Sequence, residues 1–309
     1  MASFLHFVDG LAGTAQRAFG LARLLLDRGH TITLAGPVDL SDDARRADVS
    51  FVHLDGTDRR QAERAALPRP GRANPSPSVL ATWVHTGRRL RRESLADDEL
   101  EQVLDAVDPD LVLVDHEFHT AGLACRAAGR PFVLVSGIFS TIRSPSNAPL
   151  DTPLVPGVDD ATTIERAWGA TLAGHQLVRA RNERRVAQAL APFRPVQLMT
   201  SDTLDIAAFA RSRGLRLDDE IRADRWQRPF TLDRVPTIAL TPAALEWVEP
   251  DPGWRTVGLV PSPVPLDRSD ERDRSALASL RARRERTPDR PLVYASVGTF
   301  WSGSEPTLR

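Results

Sequence analysis

The fold is decided by residues 1–36, which read MASFLHFVDGLAGTAQRAFGLARLLLDRGHTITLAG. Phe4–Val8 is a short run of apolar, β-favouring residues, and a turn with two glycines follows it. From Thr14 to Arg28 the apolar residues recur at helical spacing, and Gly29 ends that pattern. Thr31–Ala35 then reads as a second strand. The stretch therefore predicts a βαβ unit that opens a parallel sheet.

The rest of the chain continues the alternation of strands and helices. Apolar runs predict strands at 49–54, 111–114, 131–136, 236–240 and 256–259, and helical spacing predicts helices at 79–106, 120–128, 162–191, 203–213 and 273–286. Residues 37–48 read as a polar loop or short helix, and the proline-rich stretches 55–78 and 137–158 as loops. This order predicts an α/β fold with a Rossmann-like parallel sheet flanked by helices. Ligands bind such sheets at the carboxyl ends of the strands.

The composition excludes several classes of function. The formal net charge of the 309 residues is -1, which gives no sign of attraction to nucleic acid or to a membrane surface. All 40 basic residues are arginine, so no lysine can form a Schiff base. Cys125 is the only cysteine, which rules out an internal disulfide or a cysteine-based metal site. No apolar run approaches membrane-spanning length and no leader is apparent, so we expect a cytoplasmic protein with no membrane span.

Four stretches in the same order resemble the GT-B-fold UDP-glycosyltransferase and macrolide glycosyltransferase family. The first contains an opening loop, a helix and an "RGH" turn, and the second is similar to a "PDLVVxD" strand. The third is similar to an "LSPxxxE…VGP" passage, and the fourth to "PLVYVSLGT", which opens the family's second domain. The four stretches are Gly13–Leu34, Pro109–Asp115, Ile238–Gly258 and Pro291–Thr299.

The resemblance implies an inverting transfer of a sugar from a nucleotide-sugar donor, expected to be a UDP-sugar, to a hydroxyl of a small natural product. It implies no metal and no cofactor other than the donor as co-substrate. Residues 1–260 would be the acceptor-binding domain, 261–272 a linker, and 273–309 the start of a donor-binding domain that is incomplete. Because that second domain is incomplete, we expect a fragment, or a chain that works with a separate donor-domain chain and is inactive alone.

The site departs from the family pattern at the catalytic base. The family places a His directly after the loop glycine and a Pro three residues later, and the matching positions here are Thr14 and Arg17. A Thr hydroxyl cannot take a proton at neutral pH, so the usual base is absent. Asp115 matches the carboxylate that would orient that His. Because the His is replaced by Thr14, Asp115 could accept only a hydrogen bond from the Thr14 hydroxyl. Thr14 also fits the role of a helix N-cap.

Three other residues could replace the base, and each has a structural alternative. Asp9 ends the first strand, and it could equally be a turn or helix-capping carboxylate. His116 and His119 follow Asp115, and they could equally be loop or helix-cap histidines. His6, in the first strand, reads as structural.

The resemblance also places binding residues. The acceptor would meet Gly13 of the loop and a set of apolar side chains, for two of which, Trp83 and Trp168, a place in the core is an equal alternative. The donor phosphates would lie near the turn that opens the second domain, for which an ordinary strand-to-helix turn is an equal alternative. The apolar acceptor residues are Trp83, Phe139, Ile142 and Trp168, and the donor residues are Ser296, Gly298 and Thr299.

Two hypotheses remain open, an enzyme of this family and a non-catalytic protein of the same fold that binds an acceptor or assists a transferase. Thr14 and the incomplete donor domain favour the second, and the opening strand of the donor domain favours the first. A nicotinamide-dependent oxidoreductase is rejected. The first turn has Gly10-x-x-Gly13 where that class needs Gly-x-Gly-x-x-Gly, and the second strand ends without an acidic residue.

Overall fold

The strands of the computed structural model belong to one parallel sheet. The structure describes residues 1–9, 12–66, 77–137, 142–149, 152–186, 203–221, 232–241, 254–258 and 271–286. Within these residues the sheet has seven strands in the order β3-β2-β1-β4-β5-β6-β7, and every neighbouring pair is parallel. The strands are β1 (Ser3–Phe7), β2 (Thr31–Gly36), β3 (Ser50–His53), β4 (Leu111–Asp115), β5 (Phe132–Ser136), β6 (Thr237–Ala239) and β7 (Trp254–Thr256). The predicted α/β class with a Rossmann-like sheet is thereby confirmed.

Helices connect the strands. They are α1 (Ala12–Asp27), α2 (Ser41–Ala47), α3 (Asp55–Ala65), α4 (Pro77–Ala96), α5 (Glu99–Val107), α6 (His119–Ala127), α7 (Ala161–Val186), α8 (Thr203–Ser212), α9 (Leu217–Glu220) and α10 (Glu271–Arg286). None of the helices in the described part of the chain is both long and apolar enough to cross a membrane.

Two apolar cores cover the two faces of the sheet. One core holds alternate residues of the central strands, such as Leu5 and Val112, against α5, α6 and α8. The other holds the intervening residues, such as Val8 and Leu113, against α1 and α2. Because side chains alternate between faces along a strand, the even-numbered positions of β1 face α1, and His6 lies among them.

The strand order reverses between β1 and β4, which lie side by side although five of the described helices and two strands separate them in the chain. Phe7 pairs with Val114, so the residues that follow both strands emerge at the same edge of the sheet. Such a switch point opens a crevice in which ligands of α/β sheets bind. The residues after β1 and at the end of β4 are therefore the ones placed to contact a ligand.

The prediction of a loop over 55–78 is wrong where the structure describes it. α3 occupies 55–65, and α4 begins at Pro77. The reason is a distant partner, because the Glu99 carboxylate accepts hydrogen bonds from the backbone amides of Gly56 and Thr57 at 2.8 and 2.9 Å. That carboxylate satisfies two of the free N–H groups at the start of α3. The sequence near residue 55 therefore could not predict this helix start, because its partner Glu99 is far away in the chain.

The single helix predicted over 79–106 is two helices. α4 ends at Ala96 and α5 begins at Glu99. Asp97, between them, pairs with the buried Arg60 of α3 and accepts the Glu99 amide N–H at 3.3 Å. A carboxylate that bonds the backbone at this point competes with helix continuation. α10 covers the helix predicted at 273–286, whereas the boundaries at 260 and 272 stay predictions.

Candidate active site

The Asp115 carboxylate ties the end of β4 to the loop that follows β1. Its Oδ2 accepts the backbone N–H of Asp9 at 2.9 Å, and its Oδ1 lies 3.2 Å from Nε2 of His6. All three residues are buried. A carboxylate that accepts two hydrogen bonds in a buried place is a firm anchor, since charge-assisted bonds are the stronger ones.

Thr14 bonds to Asp9 and not to Asp115. Its hydroxyl donates to Oδ1 of Asp9. α1 begins at Ala12, so Thr14 is the third residue of the helix and the prediction that it is the N-cap is wrong. The expected hydrogen bond from the Thr14 hydroxyl to Asp115 is also not formed. The Asp115 carboxylate instead bonds to the His6 ring and the Asp9 backbone N–H. The site is thus a chain of contacts from Thr14 through Asp9 and Asp115 to His6.

His6 is the residue of this network that the sequence interpretation placed outside the site. Its ring is buried, and its Nδ1 has no hydrogen-bond partner among the described residues. The signal that could have found it is its position, since a polar residue in the buried run Phe4–Val8 needs a partner. The neighbouring strand supplies that partner in Asp115.

His116 and His119 lie beside this network, at the end of β4 and the start of α6. Both are buried, and their ring centroids are 6.4 Å apart. Burial, with a smaller contribution from His119, lowers the pKa of His116 to about 3. A histidine that holds a proton so weakly stays neutral and is a poor general base at neutral pH.

Glu117 is a second residue that the sequence interpretation did not select. It follows β4 by two residues and keeps an exposed side chain. Desolvation and the charge of Asp115 raise its pKa, while Arg17 acts in the opposite direction. Two interacting carboxylates at the end of a central strand were visible in the run Asp115-His116-Glu117.

Arg17 reaches from α1 across to the end of β5. Its Nη1 donates to the carbonyl oxygen of Gly137 at 3.2 Å. A Cβ added at Gly137 would lie 1.9 Å from the Cζ atom of Arg17. The guanidinium therefore occupies the space that a side chain at position 137 would fill. It lies at the same edge of the sheet as the residues that follow β1 and β4.

The predicted acceptor residues occupy different surroundings. Gly13 is exposed at the start of α1, and Ile142 is buried against Ala239 after β5. Trp168 has no exposed surface. It packs with Ile164 and Leu172, and its indole N–H donates to the carbonyl oxygen of Asn147. These contacts fit the core alternative for Trp168, and its contact with an acceptor stays a prediction.

Several predicted residues cannot be placed. Phe139 and the donor residues Ser296, Gly298 and Thr299 lie outside the described residues, as does the side chain of Trp83 on α4. Within the described ranges, no group of three His, Cys, Asp or Glu side chains could hold a metal ion.

Glycosyltransferases are among the solved structures to which this chain is similar, at low identity. SsfS6 from Streptomyces sp. SF2575 is 16% identical with a TM-score of 0.38, over 83% of this chain and 53% of that chain. VinC, in complex with DTDP, is 17% identical with a TM-score of 0.40, over 85% and 54%. The calicheamicin glycosyltransferase CalG4 is 18% identical with a TM-score of 0.41, over 84% and 52%. The chain thus spans about half the length of these structures.

No family model and no curated protein matches the sequence. At such low identity and TM-score, function has to be inferred from the motifs and the site. The arrangement offers a carboxylate, Asp9, that is held at its backbone by Asp115 and at its side chain by Thr14. Chemically it can accept a hydrogen bond, and then a proton, from a hydroxyl group that approaches beside Thr14.

Proposed function

We propose that this chain is the acceptor-binding part of a glycosyltransferase that moves a sugar from a nucleotide-sugar donor to a hydroxyl of a small natural product. The single observation that carries the proposal is the bond between Asp115 and the Asp9 amide, which fixes the loop after β1 at the switch point of the sheet. The four ordered motifs, which span residues 13–299, support the same function.

In the proposed reaction Asp9 takes the place of the missing histidine. The acceptor hydroxyl binds beside Thr14 and gives its proton to the Asp9 carboxylate. Its oxygen forms a bond to the anomeric carbon while the bond from that carbon to the donor phosphate oxygen breaks. A nucleoside diphosphate then leaves, and the anomeric configuration is inverted. Asp115 acts by holding Asp9 in place, which is the positioning that such a direct displacement needs.

The donor part of the proposal rests on the resemblance. A UDP-sugar is the proposed donor, and the turn with Ser296, Gly298 and Thr299 is proposed to contribute to its phosphates. We further propose that a donor-binding domain, on this chain or on a partner chain, completes the site, and that no metal takes part.

The second candidate function is a non-catalytic protein that binds the acceptor and assists a transferase. Thr14 favours it, because the residue at the position of the family base cannot act as a base. Both functions predict acceptor binding, and only the first predicts that Asp9 matters for a chemical step.

A library of hydroxylated natural products tests the proposal. Binding is measured by saturation-transfer NMR, and each ligand is then incubated with UDP-glucose or TDP-glucose and analysed by mass spectrometry for a glycosylated product. Asp9→Asn should leave acceptor binding nearly unchanged and abolish any transfer. Asp42→Asn, at an exposed position of α2, is the matched control. Binding without transfer is expected of an acceptor-binding part alone and agrees with both functions, whereas transfer that Asp9→Asn abolishes supports the first function. An absence of binding to the whole library contradicts both functions.

A further inference from the structure

Arg17 differs in its partners from the other buried or half-buried arginines whose side chains the structure describes. Each of the others forms an ion pair with a carboxylate. The pairs are Arg60–Asp97, Arg89–Glu63, Arg91–Asp205, Arg126–Glu220, Arg130–Asp108, Arg143–Glu165 and Arg213–Glu101. Arg17 is half-buried, and among the described residues it forms no ion pair.

The Arg17 guanidinium is nevertheless held in a defined place. One of its N–H groups donates to the Gly137 carbonyl, and the absence of a side chain at position 137 makes the space for it. A guanidinium presents five donors in a planar fork that matches a carboxylate. The bond to the Gly137 carbonyl therefore uses only one of the five N–H donors of Arg17. The charge of Arg17 lowers the pKa of Glu117 slightly against the larger effects that raise it, but the two side chains do not form an ion pair.

Arg17 also lies on the same side of α1 as the proposed reaction site. Thr14 and Arg17 are three residues apart on the helix, so their side chains are neighbours. Both are half-buried, whereas Ala15, Ala18 and Phe19 are buried against the sheet. A ligand whose hydroxyl lies beside Thr14 and Asp9 would therefore extend toward Arg17.

From this geometry we infer that the acceptor carries an acidic group, and that Arg17 binds this group as a specificity-determining residue. The inference rests on the proposed function and names its substrate class, a hydroxylated carboxylic acid. The hydroxyl is directed to the Asp9 carboxylate and the acid to the guanidinium. An uncharged acceptor would leave a half-buried cation without a charged partner, which is unfavourable.

The diphosphate of a donor is the other possible source of an anion at Arg17. The acceptor is favoured because Arg17 belongs to α1 and contacts the end of β5, both in the domain proposed to bind the acceptor. The experiment must therefore include a diphosphate as well as carboxylic acids.

The test compares acids with their uncharged analogues. The wild-type chain is titrated with 2-, 3- and 4-hydroxybenzoate and with the primary amide of each, and binding is measured by ligand-observed NMR at constant ionic strength. Inorganic pyrophosphate is titrated in the same way as the probe for a diphosphate. We expect at least one acid to bind about tenfold or more tightly than its amide. Arg17→Gln should remove that preference, a loss of about 10- to 100-fold, as hydrogen bonds to charged groups imply. Arg17→Lys should retain part of it.

Two further variants separate the local effect from general charge. Gly137→Ala should displace the guanidinium and reduce the preference without removing the charge. Arg23→Gln removes an equal charge from an exposed position of the same helix and should change nothing. Circular dichroism of each variant confirms that it is folded.

The outcomes distinguish this inference from the proposed function. Equal binding of acids and amides, or a preference that survives Arg17→Gln, overturns the role of Arg17 and leaves acceptor binding intact. Arg17-dependent binding of pyrophosphate without binding of the acids overturns the acidic acceptor and assigns Arg17 to the donor. If neither acids nor amides bind while members of the natural-product library do, and the members that bind carry no acidic group, the acidic acceptor is overturned and the proposed function stands.

Discussion

The backbone N–H of Asp9 donates a hydrogen bond of 2.9 Å to the carboxylate of Asp115, across the two strands where the sheet reverses its order. The bond makes the last residue of β4 a support for the loop after β1. The other oxygen of the same carboxylate faces the His6 ring. Asp115 therefore acts on the site through Asp9, and its loss should be measurable as a loss of stability as well as of function.

Asp115→Ala should destabilise the fold by about 2–3 kcal/mol, because it leaves the Asp9 amide and the His6 ring without their buried acceptor. Asp115→Asn should cost less, since its amide oxygen can still accept one of the two bonds. Urea denaturation measures both free energies of unfolding. Asp42→Asn, which removes an exposed carboxylate, should change the free energy of unfolding by less than about 0.5 kcal/mol. A comparable effect from Asp42→Asn would show that Asp115 has no special role.

Gly36→Ala should destabilise the protein by about 1–3 kcal/mol. A Cβ at the end of β2 would lie 2.6 Å from the backbone carbonyl oxygen of Val8, and a backbone atom cannot move aside as a flexible side chain can. Thermal unfolding followed by circular dichroism measures the change.

The matched control for Gly36 is Gly169→Ala on α7. A Cβ there meets nothing within 4 Å, and the position is exposed. Alanine is the better helix former, so this substitution should stabilise the protein by up to about 1 kcal/mol. Two Gly→Ala variants that shift stability in the same direction would contradict the close approach of β2 to β1.

Cys125 should be unreactive in the folded protein. Burial raises the pKa of its thiol to about 12, so the reactive thiolate is scarce at pH 8, and the side chain has no exposed surface. Reaction with Ellman's reagent should be slow in buffer and should reach one equivalent in guanidinium chloride, because this is the only cysteine. Rapid modification of protein that keeps its native circular dichroism would contradict the placement of Cys125 inside α6.

Much of the sheet could be predicted because its central strands carry local signals. Leu111–Val114 is apolar throughout, and Gly29 stops the first helix where the structure stops it. The order of the strands allowed Asp9 and Asp115 to be placed at one edge. What joins them was not predictable, because the bond between them spans 106 positions and depends on the register of β1 against β4.

The errors have the same physical origin. α3 was missed because its first amides are satisfied by Glu99, more than forty positions away. The contact between His6 and Asp115 was not predicted, because a strand position alone does not show which side chain of the neighbouring strand faces it. Arg17 was identified only as the residue at the position of the family's proline. Its significance depends on the absence of a side chain at Gly137, directly after β5.

His116 predicts how stability depends on pH. Its pKa is lowered from 6.5 to about 3, first by burial and second by His119. Between these values the unfolded chain binds a proton that the folded chain does not, so the free energy of unfolding falls as the pH falls. The contribution of this residue approaches about 1.4 kcal/mol per pH unit between pH 6 and 4, and it vanishes above pH 7. Urea denaturation at several pH values measures this slope.

A variant and a direct titration check the assignment to His116. His116→Phe, which has no proton to bind, should flatten the slope, whereas His85→Gln at an exposed position of α4 should leave it unchanged. NMR of the His116 ring should show no titration between pH 7 and 5 in the folded protein, whether or not the Phe variant folds. A His116 resonance that titrates near pH 6.5 would mean that the ring reaches solvent, and the argument against His116 as a general base would then fail.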